Sequence, residues 1–305
     1  MSQPWPLICP HCAAELVVHK RPDGRPYVLA CEEGHQFDAA KQGHVNMLTG
    51  KGTKFLEDSA EMVASRERWL EADHYLPLGR SLASAAMDFA PAGPVTIVDT
   101  GAGTGWYSRV VLDAFAAAGR EARAIDIDLS KSAAQRAARD ERVLSLVGDT
   151  WKPWPVAGAS VQVILDVFAP RNVDEFKRVL SPGGIALVVT PAADHLAGLS
   201  GRAGMLAIDA KKEDRLAEAF ADGWESLATV HNEWPLPLTA ESAVDLAHMG
   251  PAGHHQTHAQ MLAELAADPL PETRASVVVH VYRRLPTAVS QSTLRKADRL
   301  DHPRG

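Results

Sequence analysis

The sequence predicts an α/β protein in two parts: a small metal-binding β module at the N-terminus, then a mostly parallel, doubly wound sheet with helices on both faces. Three observations predict it. All three cysteines of the 305-residue chain, Cys9, Cys12 and Cys31, fall within its first 31 residues. From Val95 to Thr190, short β-rich apolar runs alternate with helical patterns. A glycine-rich turn, Thr100-Gly101-Ala102-Gly103-Thr104-Gly105, follows the first of those runs.

The cysteines form part of a spaced set: Cys9-x2-Cys12, then 18 residues, then Cys31-x3-His35. Each pair suits a tight turn that aims two ligands at one ion, and Cys3His is a zinc donor set. Between the pairs, Val17-Val18 and Tyr27-Val28-Leu29 read as hairpin strands around the turn Pro22-Asp23-Gly24. Four protein ligands close the tetrahedron, so Cys9, Cys12, Cys31 and His35 predict a structural ion stabilising a module over residues 1–50. The alternative is three free thiols and a loop histidine. An odd cysteine count argues against a disulfide framework.

Thr49-Gly50-Lys51-Gly52-Thr53-Lys54 reads either as a solvated linker or as a phosphate-contacting loop. Residues 51–93 are linker and helices. Ser59, with Met62, Trp69 and Leu70 on one face, starts the first helix, and Leu78 to Phe89 forms the second. The sheet domain spans 94–285. Its strands are expected at Val95–Asp99, Ala122–Ile127, Val143–Val147, Val161–Val167 and Ile185–Thr190, and its helices at 106–118, Lys131–Arg139 and Val173–Leu180. Further helices are expected near Met205–Phe220, Ala240–Met249 and Thr257–Ala267, and a final strand at Ser276–Tyr282 should insert antiparallel at the sheet edge. Residues 286–305 have no periodicity and are expected to be disordered.

The glycine turn narrows the ligand. Glycines stand at 101, 103 and 105, but Trp106 occupies the position where a dinucleotide fingerprint needs glycine. Asp99, just ahead of the turn, suits an ammonium better than a pyrophosphate. Asp128, at the end of the next strand, is placed for ribose hydroxyls; Asp126 is the other choice. Asp149 follows the third strand and could accept from an adenine amine. Three acids after successive strands outline S-adenosylmethionine, and hence a Rossmann-like class I methyltransferase domain.

With 46% hydrophobic and 23% charged residues the chain is ordinarily globular. It holds no apolar run of about 18 residues and no basic-then-apolar N-terminus, which predicts a cytoplasmic protein. A net charge of −7 excludes a general polyanion binder, so nucleic-acid contacts must come from local patches such as Lys20, Arg21 and Arg25.

Several segments together resemble the 23S ribosomal RNA (guanine-N1)-methyltransferases. They are Cys9-Pro10-His11-Cys12, Cys31 to Asp38, Gln42 to Asn46, Asp58 to Met62, His74 to Leu78 and Phe168-Ala169-Pro170-Arg171-Asn172. Val188 to Pro191 and Asp194-His195-Leu196 are similar to the actinobacterial branch that protects against tylosin-like or mycinamicin-like macrolides. The resemblance implies methylation of N1 of guanine 748, in a 23S rRNA hairpin loop by the peptide exit tunnel; the sister branch modifies guanine 745. It also implies that Tyr75, Gly103, Thr104 and His195 contact the cofactor, and that a homodimer widens the RNA-binding patch. Thr104 departs from the larger acid often found in relatives, leaving only its hydroxyl or backbone for the methionyl part.

Asp166 and His195, at strand ends, are candidates for a general base at guanine N1, and Phe168 for stacking on the base. Each also has a structural reading, as strand-end acid, helix cap and core aromatic. Two rival classes remain: a zinc-containing methyltransferase of small molecules, which would methylate a metabolite and not RNA, and a non-catalytic interaction protein, which would not bind the cofactor. Separate modules predict that Cys31→Ser abolishes RNA methylation while leaving cofactor affinity nearly unchanged.

Overall fold

The computed structural model describes residues 4–50, 52–199, 201–202, 204 and 212–286. The N-terminal module is a three-stranded antiparallel sheet, β1 (Val17–Lys20), β2 (Pro26–Ala30) and β3 (Gln36–Asp38), in that order. Gly24, at φ 83°, makes the first hairpin turn. The chain then adds β4 (Val45–Asn46) alongside a strand of the large sheet.

Two helices follow. Helix α1 (Ala60–Glu71) begins at Ser59, whose hydroxyl accepts from the Met62 amide at 3.1 Å and so caps the first turn. Helix α2 (Leu76–Phe89) begins two residues before the expected start, with Pro77 in its first turn, where no amide donor is needed.

Next come β5 (Val95–Thr100), α3 (Trp106–Ala117), β6 (Ala122–Asp128), α4 (Lys131–Ala137), β7 (Val143–Val147), β8 (Val161–Val167), α5 (Val173–Val179) and β9 (Leu180–Pro191). The chain ends, as described, with α6 (Lys212–Ala219), β10 (Trp224–Pro237), α7 (Ala240–His248), α8 (His258–Ala267) and β11 (Glu272–Arg284). The expected helix near Met205–Phe220 corresponds to α6, and the remainder of that expectation, like the tail from 287, lies outside the described residues.

The eight strands run in the order β10-β11-β9-β8-β5-β6-β7-β4. All neighbours from β9 to β4 are parallel, and β11 and β10 are antiparallel additions. One expectation is corrected. The strand containing Ser276–Tyr282 is antiparallel but lies one place in from the edge, between β9 and β10. The edge is β10, and its largely exposed, polar sequence with Pro235 and Pro237 disguises it, because an edge strand with one solvated face lacks the apolar run that marks the inner strands.

Alternate residues of each strand feed two cores. Ile97, Ala124, Val163 and Leu187 pack with α1, α2, α3, α7 and α8. Val98, Ile125, Ile164 and Val188 pack with Phe176 of α5, Leu216 of α6 and the N-terminal module's Leu7, Leu16 and Leu29. The module thus covers part of one sheet face where a crossover helix would otherwise lie.

Candidate active site and metal centre

At the N-terminus, one ligand atom from each of Cys9, Cys12, Cys31 and His35 lies within 4.8 Å of the other three. Cys12 Sγ is 3.7 Å from Cys31 Sγ, and Cys31 Sγ is 3.5 Å from His35 Nδ1. Tetrahedral zinc with Zn–S of about 2.3 Å and Zn–N of about 2.0 Å requires edges of about 3.8 and 3.5 Å, so the donor set fits the ion. Backbone turns hold each pair: Ala13 N donates to Cys9 O and Gly34 N to Cys31 O, with Ala13 and Gly34 both at positive φ. Cys9 and Cys31 are buried in the core shared with the sheet.

The second site lies at the C-terminal ends of β5, β6 and β7, beside the point where the strand order reverses between β5 and β8, the usual place for a ligand in an open α/β sheet. A cavity of about 660 Å³ opens there. Its wall includes Tyr75, Asp99, Gly101, Gly103, Asp128, Asp149, Phe168 and His195 from the sequence-derived set. Thr104, Gly105 and Asp166 are not part of that wall. Thr104 is buried behind the turn, and a Cβ on Gly105 would sit 2.7 Å from Asp126 and 2.9 Å from Ala137, so Gly105 serves the packing of α3 and α4 against β6.

The two choices after β6 separate. Asp126 is buried, accepts from Ser108 Oγ at 2.9 Å and is pushed up to about 7 by burial. Asp128 reaches the cavity, accepting from Gly103 N at 2.8 Å and Ser130 N at 2.7 Å. Asp99 is 1% exposed, and its Oδ2 has no hydrogen-bond partner. Burial first, then Asp126, Asp128 and Asp166, hold its carboxyl well above the usual carboxylate range.

Asp166 is fully buried, with the Arg171 guanidinium at 3.4 Å in poor hydrogen-bond alignment; burial pushes it up to about 8. His195 accepts from the Ser276 amide through Nδ1 at 3.1 Å, and burial pushes it down to about 4. The neutral ring therefore carries its proton on Nε2, which faces Tyr75 Oη at 3.5 Å. His195 is a donor here and not a base. Phe168 stacks beside His195, with centroids 5.9 Å apart, is 40% exposed and sits at φ 56°, an unfavourable backbone for an aromatic residue and of the kind that collects at functional sites.

The sequence reading missed several wall residues. Arg66 pairs with Asp58 at 2.6 Å and donates to Met249 O at 2.7 Å, and His254 reaches the same Asp58 at 3.4 Å. Segment 53–58 lies across the mouth: Thr53 Oγ1 donates to Asp149 at 2.8 Å, and Ser130 Oγ donates to Asp58 O at 2.9 Å. Thr53 belongs to the stretch read as linker or phosphate loop. Only its tertiary contacts reveal its place.

Comparison with known proteins decides the family. A zinc-ribbon family model, "RlmA, N-terminal", matches residues 7–51. The 23S rRNA (guanine(748)-N(1))-methyltransferase of Streptomyces fradiae is 40% identical over 283 residues, covering 92% of this chain and 97% of the relative. The chain belongs to the 23S rRNA (guanine-N1)-methyltransferase family. A provisionally named 23S rRNA (guanine-N(1)-)-methyltransferase of Micromonospora griseorubida is also 40% identical, over 89% of this chain and 95% of its own length. A third, from Bacillus subtilis, is 32% identical over 55% of this chain and 60% of its own.

For a methyltransferase of this family the cofactor is S-adenosylmethionine, and the cavity fits it on two counts. The unpartnered buried Asp99 Oδ2 lacks the donor an ammonium would bring. Gly101, at φ 70°, keeps the turn open where a Cβ would lie 2.6 Å from Ala169. Among the described residues no helix is long and apolar enough to cross a membrane.

Proposed function

We propose that this protein methylates N1 of guanine 748 in a hairpin loop of 23S rRNA, in the cytoplasm, and that the methyl group confers resistance to macrolides of the tylosin or mycinamicin kind. The reading is carried by an unsatisfied buried Asp99 at the end of β5 in a chain related along nearly all its length to a guanine(748)-N(1) enzyme. In this reading residues 1–50 recognise RNA and residues 94–285 bind the cofactor and orient the base.

S-adenosylmethionine supplies an electrophilic methyl group on its sulfonium. Asp99 binds the ammonium, Asp128 the ribose hydroxyls and Asp149 the adenine amine, while Tyr75, Gly101 and Gly103 shape the cavity around the methionyl part. Phe168 stacks on the guanine, and its alignment with the cofactor supplies most of the rate, since positioning two bound reactants is worth about 7–11 kcal/mol. His195 offers Nε2–H to an oxygen acceptor. The N1 proton is assigned neither to His195, whose Nδ1 lone pair is occupied by Ser276, nor to Asp166, which lies behind the cavity wall. Zinc at Cys9, Cys12, Cys31 and His35 holds Lys20, Arg21 and Arg25 in position for RNA phosphates, and a homodimer would extend that basic surface.

The test is incubation of the purified protein with labelled cofactor and unmethylated 23S rRNA, followed by mapping of reverse-transcription stops. A stop at guanine 748 is expected. A stop at guanine 745 would move the target by three nucleotides, and no label in RNA with cofactor bound would point to a small-molecule acceptor. Light scattering of the zinc-loaded protein reports the dimer.

A further inference from the structure

Among the described residues, eight large apolar side chains are exposed, and four of them, Phe55 (44%), Leu56 (75%), Trp151 (51%) and Phe168 (40%), line the mouth of the one cavity described above. Scattered exposed apolar residues need no explanation, but half of them at one opening mark a contact surface. We propose that Phe55 and Trp151 form a stacking platform for the unpaired nucleotides adjoining the target guanine, a role distinct from that of Phe168 on the guanine itself. The proposal rests on the RNA methyltransferase reading above.

Three features favour RNA bases as the occupant. First, the platform is braced: Phe55 lies on the 53–58 strap and Trp151 on the loop after β7, and these are tied together by Thr53 Oγ1 to Asp149 at 2.8 Å and by the Lys152 ammonium to the Gly52 carbonyl. Trp151 N also donates to Asp149 Oδ1 at 3.0 Å. Bracing lowers the entropy lost when the rings are covered. Second, the Lys54 ammonium lies over one face of the Phe55 ring, 5.4 Å from its centroid, so a base would stack on the opposite face with a phosphate-seeking cation directly behind the ring, the combination of charge and aromatic surface that single-strand binding surfaces use. Third, a chain of net charge −7 cannot hold RNA by its overall field, whereas stacking needs no net charge.

The experiment uses the full-length zinc-loaded protein and a synthetic RNA hairpin carrying the 23S target loop. It compares wild type with Phe55→Ala, Trp151→Ala, the double variant and Trp151→Phe, measuring hairpin Kd, methylation at saturating RNA and cofactor Kd. Each alanine variant should weaken hairpin binding about tenfold, within the roughly five- to 150-fold range of about 1–3 kcal/mol per stacked base. Cofactor Kd should stay within twofold, and Trp151→Phe should retain most of the binding. The proposal is overturned if the double variant binds the hairpin within twofold of wild type. It is also overturned if cofactor Kd weakens in parallel, which would give these rings to the adenine. If wild type neither binds nor methylates the hairpin, the RNA methyltransferase reading itself has failed, and the platform with it.

Discussion

Gly101→Ala tests the cavity most directly. Gly101 occupies φ 70°, where an L-residue costs about 1–2 kcal/mol. Its new methyl would lie 2.6 Å from Ala169 Cβ, where carbon contacts favour about 3.5–4.0 Å, so Ala169 must retreat by about 1 Å. Overpacking of this kind costs about 1–3 kcal/mol. Ala169 cannot retreat freely, because it follows Phe168 at φ 56° and precedes Pro170. Part of the cost therefore appears as movement of the loop that forms the cavity wall. The expected result is a Tm lowered by about 5 °C, as for roughly 3 kcal/mol in a chain of this length, with cofactor Kd raised at least tenfold in a calorimetric titration. Gly103→Ala is the control. Its Cβ would meet only side-chain atoms of Arg66, the nearest being Cδ at 3.3 Å, and no backbone, so the backbone cost dominates and the loss of affinity should be smaller. If Gly101→Ala bound the cofactor within twofold of wild type, the turn would not be cradling it.

Asp99→Asn should separate stability from binding: the melting temperature holds or rises because a crowded buried acid is removed, while cofactor Kd increases about tenfold as a charge-assisted bond worth about 1.5–3 kcal/mol is lost. The raised Asp99 carboxyl also predicts that the cofactor's ammonium binds with release of a proton at pH values below the one where that carboxyl titrates in the free protein, seen as a dependence of calorimetric heat on buffer ionisation enthalpy; equal heats in all buffers from pH 5 to pH 8 would contradict it. Asp166, raised from 3.8 to about 8, keeps its proton in the folded state where the unfolded chain has lost it, so its contribution is full below about pH 4 and declines as pH rises to about 8. Asp166→Asn should therefore gain melting temperature relative to wild type between pH 5 and pH 8, and a pH-independent difference would refute this. Cys31→Ser should release the metal and lower the stability of the whole molecule in a single calorimetric transition, because β4 pairs with β7 and Leu7, Leu16 and Leu29 share a core with Ile125 and Leu144. Two resolved transitions would restore the separable modules that the spacing of the cysteines first suggests.

What was legible in the sequence depended on how local its cause is. The metal ligands were readable because short spacings alone bring Cys9 near Cys12 and Cys31 near His35. The inner strands were readable because burial on both faces forces continuous apolar runs such as Ile185–Val189. β10 was not, since one face and one edge are solvated, leaving polar residues where the inner strands have valine. The strap was not legible for a related reason. Thr53, Asp58 and Ser130 acquire meaning only from contacts across 72 to 96 residues, and Gly52-Thr53-Lys54 is equally compatible with a free linker. The same limit applied to His195. Its position after β9 pointed to a ligand site, but only its contact with the Ser276 amide on β11 determines which ring nitrogen keeps the proton and so turns a presumed base into a donor. Sequence thus located the acids that face the cavity, since each stands at or just after the end of its own strand. The protonation states and the exposed aromatic rim of the cavity arise between elements distant in the chain, where neither composition nor local spacing can announce them.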